Sequence, residues 1–485
     1  MAEAQVAAAS SEQVALSCNA EYATYPRGSN QVCWATASLK APFYEAAARA
    51  PVDIVAVIDK SGSMRGAKLD LVKKTLLFVV DQLKECDRLS LVTYDTNVYL
   101  DFSLTSMSTT NKDKTKITIS KLREGSSTNL CGGLVRGMEE VVQSAGERAQ
   151  VQSVLLLTDG LANQGVRDAE GILAKMRELQ DPPVHGDVAP KFLCPSCNGH
   201  AFIPPENLRV LSTRLDLGSD HDSNLLEAIS SQGGGVYYFI DSTDKIPESF
   251  ADCLGGLLSV VGQNLALKIE AVGETSLSAV HANRPVQWTT ANNGTFNLCE
   301  IQLGDIQSEE ERDIVLQLSL PAVEADHEEQ GPAMRATLSY FDILSSTLVP
   351  NITAELMVAR RDGEQGPANT TVDQQRNRVI AAAALKDADP LAGQGKLTEA
   401  RKVLGDAVAV LEKSPTATSD YCKALQEDLK RSLDSLKSEV QYKRHGHQYI
   451  VSKMQTHSVQ RSNYVDDHEY YQNRSKSGFR ALSKK

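Results

Sequence analysis

Hydrophobic residues change their spacing several times along this chain. Between residues 13 and 47 they alternate loosely with polar ones, as in Val32-Cys33-Trp34-Ala35-Thr36-Ala37-Ser38-Leu39, and the run Pro26-Arg27-Gly28-Ser29-Asn30 interrupts them. That pattern predicts two half-buried strands joined by a turn. At Val52 the texture changes to the nearly continuous, β-branched run Val52-Asp53-Ile54-Val55-Ala56-Val57-Ile58, which suits a strand covered on both faces of a parallel sheet. Similar runs recur at Leu89–Tyr94, Val154–Leu157 and Val236–Ile240, with helical periods near 68–83, 133–144, 169–180, 224–231 and 246–261. Strands alternating with helices of that length predict an α/β domain, a doubly wound and mostly parallel sheet with right-handed crossovers, over 48–261.

From Leu265 the helical period disappears. Leu265–Val272, Phe296–Leu303, Ile314–Leu320 and Met334–Phe341 read as strands separated by turn-rich stretches, the spacing of a β-sandwich over 262–362. The strands at 13–47 have no partner nearby and are expected to complete it, with the α/β domain inserted between. After Gly363-Glu364-Gln365-Gly366-Pro367 an α-helical region, 368–441, is expected, with helices near 370–388, 397–412 and 418–441. Its segment 393–401 resembles one unit of a tetratricopeptide repeat; one unit cannot stack into a solenoid, so a helical bundle is expected. Residues 1–12 read as a disordered N-terminus and 442–485 as a flexible tail with little periodicity.

Charge narrows the classes. Lys and Arg number 50 against 62 Asp and Glu, a formal charge of −12, which argues against a broad nucleic-acid or anionic-membrane surface. No stretch approaches the roughly 18 apolar residues of a membrane span, and Met1–Ser10 lacks the pattern of a secretory signal. Nine cysteines, unevenly spaced, read as reduced thiols rather than a disulfide scaffold. A soluble, intracellular, cytoplasmic protein is expected.

The candidate chemistry lies where the first buried strand ends. Asp59-Lys60-Ser61-Gly62-Ser63 follows it and opens a helix, and in an open α/β sheet that carboxyl-end crevice is where ligands bind. One carboxylate and two hydroxyls around a tight turn offer oxygen ligands to a hard cation, although Asp-x-Ser-x-Ser taken alone also reads as a turn or helix cap. Two further segments end at the same edge: the polar loop Gly125-Ser126-Ser127-Thr128-Asn129 and the strand ending Thr158-Asp159-Gly160.

Together, Asp59, Ser61, Ser63, Thr128 and Asp159 fill all five positions of the metal-ion-dependent adhesion site of von Willebrand factor A (vWA) domains, which 48–261 resembles. The resemblance implies a Rossmann-like fold and a bound Mg²⁺, with Mn²⁺ as the alternative. It implies that Ser61 and Ser63 coordinate directly, Thr128 directly or through water, and Asp59 and Asp159 mainly through water. One metal position then falls to an Asp or Glu of a partner protein, so the implied role is adhesion, without catalysis. Segments 247–261 and 303–313, with the helical end, also resemble a eukaryotic group of vWA proteins with a C-terminal Vwaint region, some of them ubiquitin ligases with a RING or U-box. The first 50 residues here hold only Cys18 and Cys33, far from a RING's zinc pattern. Recruitment of a substrate for a ligase is the alternative role.

Other motifs weigh less. An atypical insert, 184–207, contains Cys194, Cys197 and His200, with His185 nearby. These donors suit a structural zinc that would staple a loop too small for its own core, but a second ligand pair is not evident and an irregular surface loop is the favoured reading. Gly62–Lys68 has the wrong spacing for a phosphate loop. A metal-dependent hydrolase lacks a paired base and nucleophile, since both carboxylates serve the ion.

Overall fold

The N-terminal alternation forms β1 (Ala15–Ala20), β2 (Thr24–Tyr25) and β3 (Gln31–Lys40) in the computed structural model. The structure describes residues 13–44, 49–143, 149, 151–159, 162–180, 209–215, 223–233, 235, 237–240, 246–290, 294, 296–323, 330–362, 365–461, 471 and 473–483.

The α/β segment begins with β4 (Val52–Asp59), buried at every position. It continues through α1 (Ala67–Gln82), β5 (Arg88–Tyr94), β6 (Val98–Ser106), α2 (Thr109–Ser120), α3 (Leu130–Gln143) and β7 (Val151–Thr158). Its second half is α4 (Ala169–Gln180), β8 (Arg209–Leu215), α5 (Ser223–Gln232), β9 (Tyr237–Ile240) and α6 (Ile246–Leu257). The sheet order is β6-β5-β4-β7-β8-β9, parallel throughout except for β6, which runs antiparallel to β5 at the edge. Val55, Val57, Val154 and Leu156 on one sheet face pack with Leu134, Met138, Ile172, Met176 and Ile229 from α3, α4 and α5. A helix here has no space for bulk at its closest approach: a Cβ at Gly137 of α3 would stand 2.4 Å from Val57 Cγ2.

Two elements of this domain carry weaker sequence signals. β6 alternates half-buried and exposed positions, as an edge strand does, and α2 is a polar, Thr-rich helix started by the Ser108 side chain, which accepts from Asn111 N.

The remaining strands are β10 (Val260–Ala271), β11 (Ser276–His281), β12 (Val286–Thr290), β13 (Phe296–Gln307), β14 (Glu311–Leu320), β15 (Gln330–Asp342) and β16 (Thr347–Arg360). They form two sheets with the N-terminal strands, β1-β3-β14-β11 and β12-β13-β10-β15-β16-β2. β3 pairs with β14 along its whole length, from Lys40 opposite Glu311 to Gln31 opposite Leu320, so β3 takes an inner place in the first sheet, with β1 at its edge. Cys33, Ala35, Leu316 and Leu318 of one sheet share a core with Leu265, Leu267, Ile269 and Leu338 of the other, the packing of a sandwich.

The helical region comprises α7 (Thr370–Gly393), α8 (Leu397–Glu412), α9 (Asp420–Ser435), a single turn α10 (Glu439–Gln441), a π-helical turn at Tyr442–Gly446, α11 (His447–Val459) and α12 (Arg474–Ser483). Leu385, Leu404, Leu411, Leu425 and Leu429 form the core of this bundle. The stretch 442–485, expected to be a flexible tail, thus holds two helices. Its sequence hides them because α11 buries polar side chains: Gln448, Ser452, Lys453, Gln455, Thr456 and His457 are all buried. Their partners are polar too, since Asp428 accepts from Tyr449 Oη at 2.9 Å and lies 3.1 Å from His457 Nε2 and 3.4 Å from Lys453 Nζ. Past α11, Gln460 bonds both N and O of Asp313, and Arg461 pairs with Glu310 at 2.8 Å.

The chain divides into two compact units, one of the sandwich with α7–α11 and one of residues 49–259 with the described residues after 474. Within the second, Lys476 and Arg480 of α12 pair with the buried carboxylate of Asp252 on α6, at 3.3 and 3.0 Å. No helix among the described residues is long and apolar enough to cross a membrane.

Candidate metal centre

β4 has β5 on one side and β7 on the other, so the chain reverses its direction of travel across the sheet between β4 and β7. Ligands bind outside strand carboxyl ends at such a switch point. Here both strands end in carboxylates, Asp59 as the last residue of β4 and Asp159 directly after β7.

Asp59 is fully buried. Its Oδ1 accepts from the backbone N of Ser61 at 2.8 Å, and its Oδ2 accepts from Thr158 Oγ1 at 2.7 Å. Ser61 caps a 3-10 turn at Gly62–Met64, held down by the buried Met64 side chain. The turn sets the Ser61 and Ser63 hydroxyls 3.0 Å apart, and Ser63 Oγ donates to Asp159 Oδ1 at 2.7 Å. The second oxygen of Asp159 accepts from Lys68 Nζ at 2.5 Å.

The Thr128 loop reaches the same place through its backbone. Gly125 N donates to Lys60 O at 2.6 Å and Gly62 N to Ser126 O at 2.8 Å. Glycine at 125 is required by space, because a Cβ would stand 2.1 Å from Asp95 Oδ2. Thr128 is buried; its N donates to Asn163 Oδ1 at 2.7 Å, and its O accepts from Asn163 N at 3.0 Å. Asp59, Ser61, Ser63 and Asp159 therefore share one hydrogen-bonded chain, and Thr128 lies in the loop laced to it.

Electrostatics single out Asp59. Burial pushes its carboxyl up to about 6, with the Asp159 charge adding and the hydrogen bonds from Ser61 and Thr158 opposing. Tyr94 is raised as well, first by burial and then by the Asp59 charge. A buried carboxylate held in ionised form lacks compensation of the kind a cation would supply. The donors are carboxylate and hydroxyl oxygens, the chemistry of Mg²⁺ or Ca²⁺ sites. Among the described residues no cluster of three or more His, Cys, Asp or Glu side chains is arranged to hold a metal. Cys194, Cys197, His200 and His185 lie outside the described residues.

Thr158, Asn163 and Lys68 were not singled out by the sequence. Thr158 precedes the strand-ending Asp159 and is the one neighbour a motif search would pass; Asn163 and Lys68 carry no local signal, because each acts on a residue 35 or more positions away.

Comparison with known proteins agrees with this fold. Residues 53–252 match the family model of the von Willebrand factor type A domain, and residues 368–474 match that of the CPSF6-like RSLD domain, N-terminal region. The chain is 27% identical over 395 residues to the E3 ubiquitin-protein ligase WAV3 of Arabidopsis thaliana, covering 79% of this chain and 45% of that protein. To WAVH1, a second E3 ubiquitin-protein ligase of that plant, it is 22% identical over 383 residues, covering 78% and 47%. It thus spans about half the length of these ligases. Among solved structures, a von Willebrand factor type A protein from Catenulispora acidiphila superposes with a TM-score of 0.62 at 14% identity, over 89% of this chain and 91% of that one, a likeness of fold alone. The chain thus carries a match to the von Willebrand factor type A domain over residues 53–252, and most of its length is similar to the ligases WAV3 and WAVH1.

Proposed function

We propose that this protein is a non-enzymatic, Mg²⁺-dependent interaction module whose adhesion site binds an acidic residue of a partner protein. The observation that carries the reading is the hydrogen-bonded chain Ser61–Ser63–Asp159 beside the buried Asp59, at the switch point of a vWA sheet. Ser61 and Ser63 would hold the ion directly, Thr128 directly or through water, and Asp59 and Asp159 mainly through water. The ion, when bound, supplies a Lewis-acid position for a carboxylate from outside. The protein's own residues keep that position open: the hydroxyls are neutral, and the carboxylates are engaged by Thr158, Ser61 N, Ser63 and Lys68. The binding face is therefore short of negative charge and takes it from an Asp or Glu of the partner.

The test is affinity capture by the full chain under three conditions: wild type in Mg²⁺, wild type in EDTA, and Asp59→Ala/Ser61→Ala in Mg²⁺. Proteins retained only in the first condition support a metal-bridged contact. One set retained in all three refutes it and moves the binding face elsewhere.

A second reading, a substrate-recruiting component of a ubiquitin ligase, is favoured by the similarity to WAV3 across 79% of the chain. Purified chain with E1 and a panel of E2 enzymes is expected to show no auto-ubiquitination. Ubiquitin chains formed by this protein alone would make it an enzyme and overturn the non-enzymatic reading.

A further inference from the structure

Lys68 occupies a position that helix electrostatics disfavour. It is the second residue of α1, in the first turn, where the helix dipole repels a cation. Its side chain is nonetheless mostly covered, 18% exposed, and its ammonium rests 2.5 Å from Oδ2 of Asp159, whose side chain is wholly buried. The neighbouring cations are engaged elsewhere. Lys60 pairs with Asp95 at 3.5 Å and lies 3.9 Å from the centroid of the Tyr99 ring, and Arg65 faces Glu124 at 3.5 Å with 73% of its side chain exposed. Among the described residues, Lys68 is thus the side chain that brings positive charge onto a carboxylate of the centre.

We infer that Lys68 is a built-in counter-cation of the centre, which competes with a divalent ion for Asp159 and so sets how tightly that ion binds. The inference rests on the reading of Asp59, Ser61, Ser63, Thr128 and Asp159 as a metal centre. With Lys68 in place, Asp59 and Asp159 present one uncompensated negative charge instead of two. A divalent ion must either share Asp159 with the ammonium, at close range and in a buried setting that screens poorly, or displace it. In the absence of an ion the same contact keeps two neighbouring carboxylates from repelling each other, so the centre stays formed.

Isothermal titration of the full chain with Mg²⁺ and with Mn²⁺ tests this, using wild type, Lys68→Met and Lys68→Arg. Methionine keeps the length of the stem and removes the charge; arginine keeps the charge. Lys68→Met is expected to bind either ion about tenfold tighter or more, as the loss of a unit charge a few ångströms from a dication implies, while Lys68→Arg stays within about threefold of wild type. A gain in affinity cannot come from misfolding, and the arginine variant separates charge from packing. If wild type binds Mg²⁺ and Lys68→Met binds it no tighter, the counter-cation role is refuted and the metal centre stands. If neither binds a divalent ion, the metal centre itself is refuted and the inference falls with it.

Discussion

Replacing Asp59 by asparagine has two effects of opposite sign, and their size follows from burial. Without metal, burial above all pushes the Asp59 carboxyl up to about 6 in the folded protein, against an ordinary value of 3.8. That gap of roughly two units means that the ionised side chain costs the fold about 2–3 kcal/mol at neutral pH. Asparagine has the same shape, can accept from Ser61 N through its oxygen and can donate to Thr158 Oγ1 through its nitrogen, and carries no charge. In EDTA at neutral pH, Asp59→Asn is therefore expected to be more stable than wild type, raising the transition of this domain by roughly 5–10 °C. In Mg²⁺ the order reverses, since wild type gains stability from the ion and the variant does not. The pH dependence has a definite sign: a raised folded value favours the protonated form, so the metal-free stability from Asp59 is full below 3.8 and lost as pH rises through about 6. The difference between wild type and variant should then vanish in acid. Calorimetry of the full chain, with and without Mg²⁺, reads all three effects on the Mg²⁺-responsive transition. A variant less stable than wild type in EDTA, or one that keeps the Mg²⁺ shift, refutes the reasoning.

Three further outcomes follow from contacts within single units. Gly125→Ala places a Cβ 2.1 Å from Asp95 Oδ2, so the Thr128 loop must move; a stability loss of about 1–3 kcal/mol and weaker Mg²⁺ binding by titration are expected. Glu310 is held down to about 2, where burial is outweighed by the charges of Arg312 and Arg461; Glu310→Gln leaves those guanidinium groups buried without their carboxylate and should cost about 3–5 kcal/mol by urea denaturation. A depressed carboxyl stabilises above the unfolded value, so that cost should shrink as pH falls from 4.5 toward 2. Asp252→Asn weakens the pairs with Lys476 and Arg480 and should speed hydrogen exchange in 475–483, while exchange in α3 stays unchanged.

The vWA domain was legible in the sequence because its physics is local. A strand covered on both faces is nearly all apolar, as Val52–Ile58 is apart from Asp53, which pairs with Arg88, and its carboxyl end carries the polar residues that open the crevice, as Asp59, Ser61 and Ser63 do. The helical region was legible for a related reason, since leucines such as Leu425 and Leu429 recur on one face. β6 was readable in principle, from Val98, Leu100, Phe102 and Leu104 alternating with polar residues.

Tertiary structure alone decided the contacts made by polar groups. Lys68 meets Asp159 across 91 residues and Thr158 meets Asp59 across 99, and α11 is buried through the partnership of Lys453 and His457 with Asp428. Burial of apolar side chains leaves a periodic trace in the sequence because any apolar neighbour will serve. A buried charge or hydroxyl needs one particular partner at hydrogen-bonding distance, and that requirement is met by the fold, with no pattern along the chain to announce it.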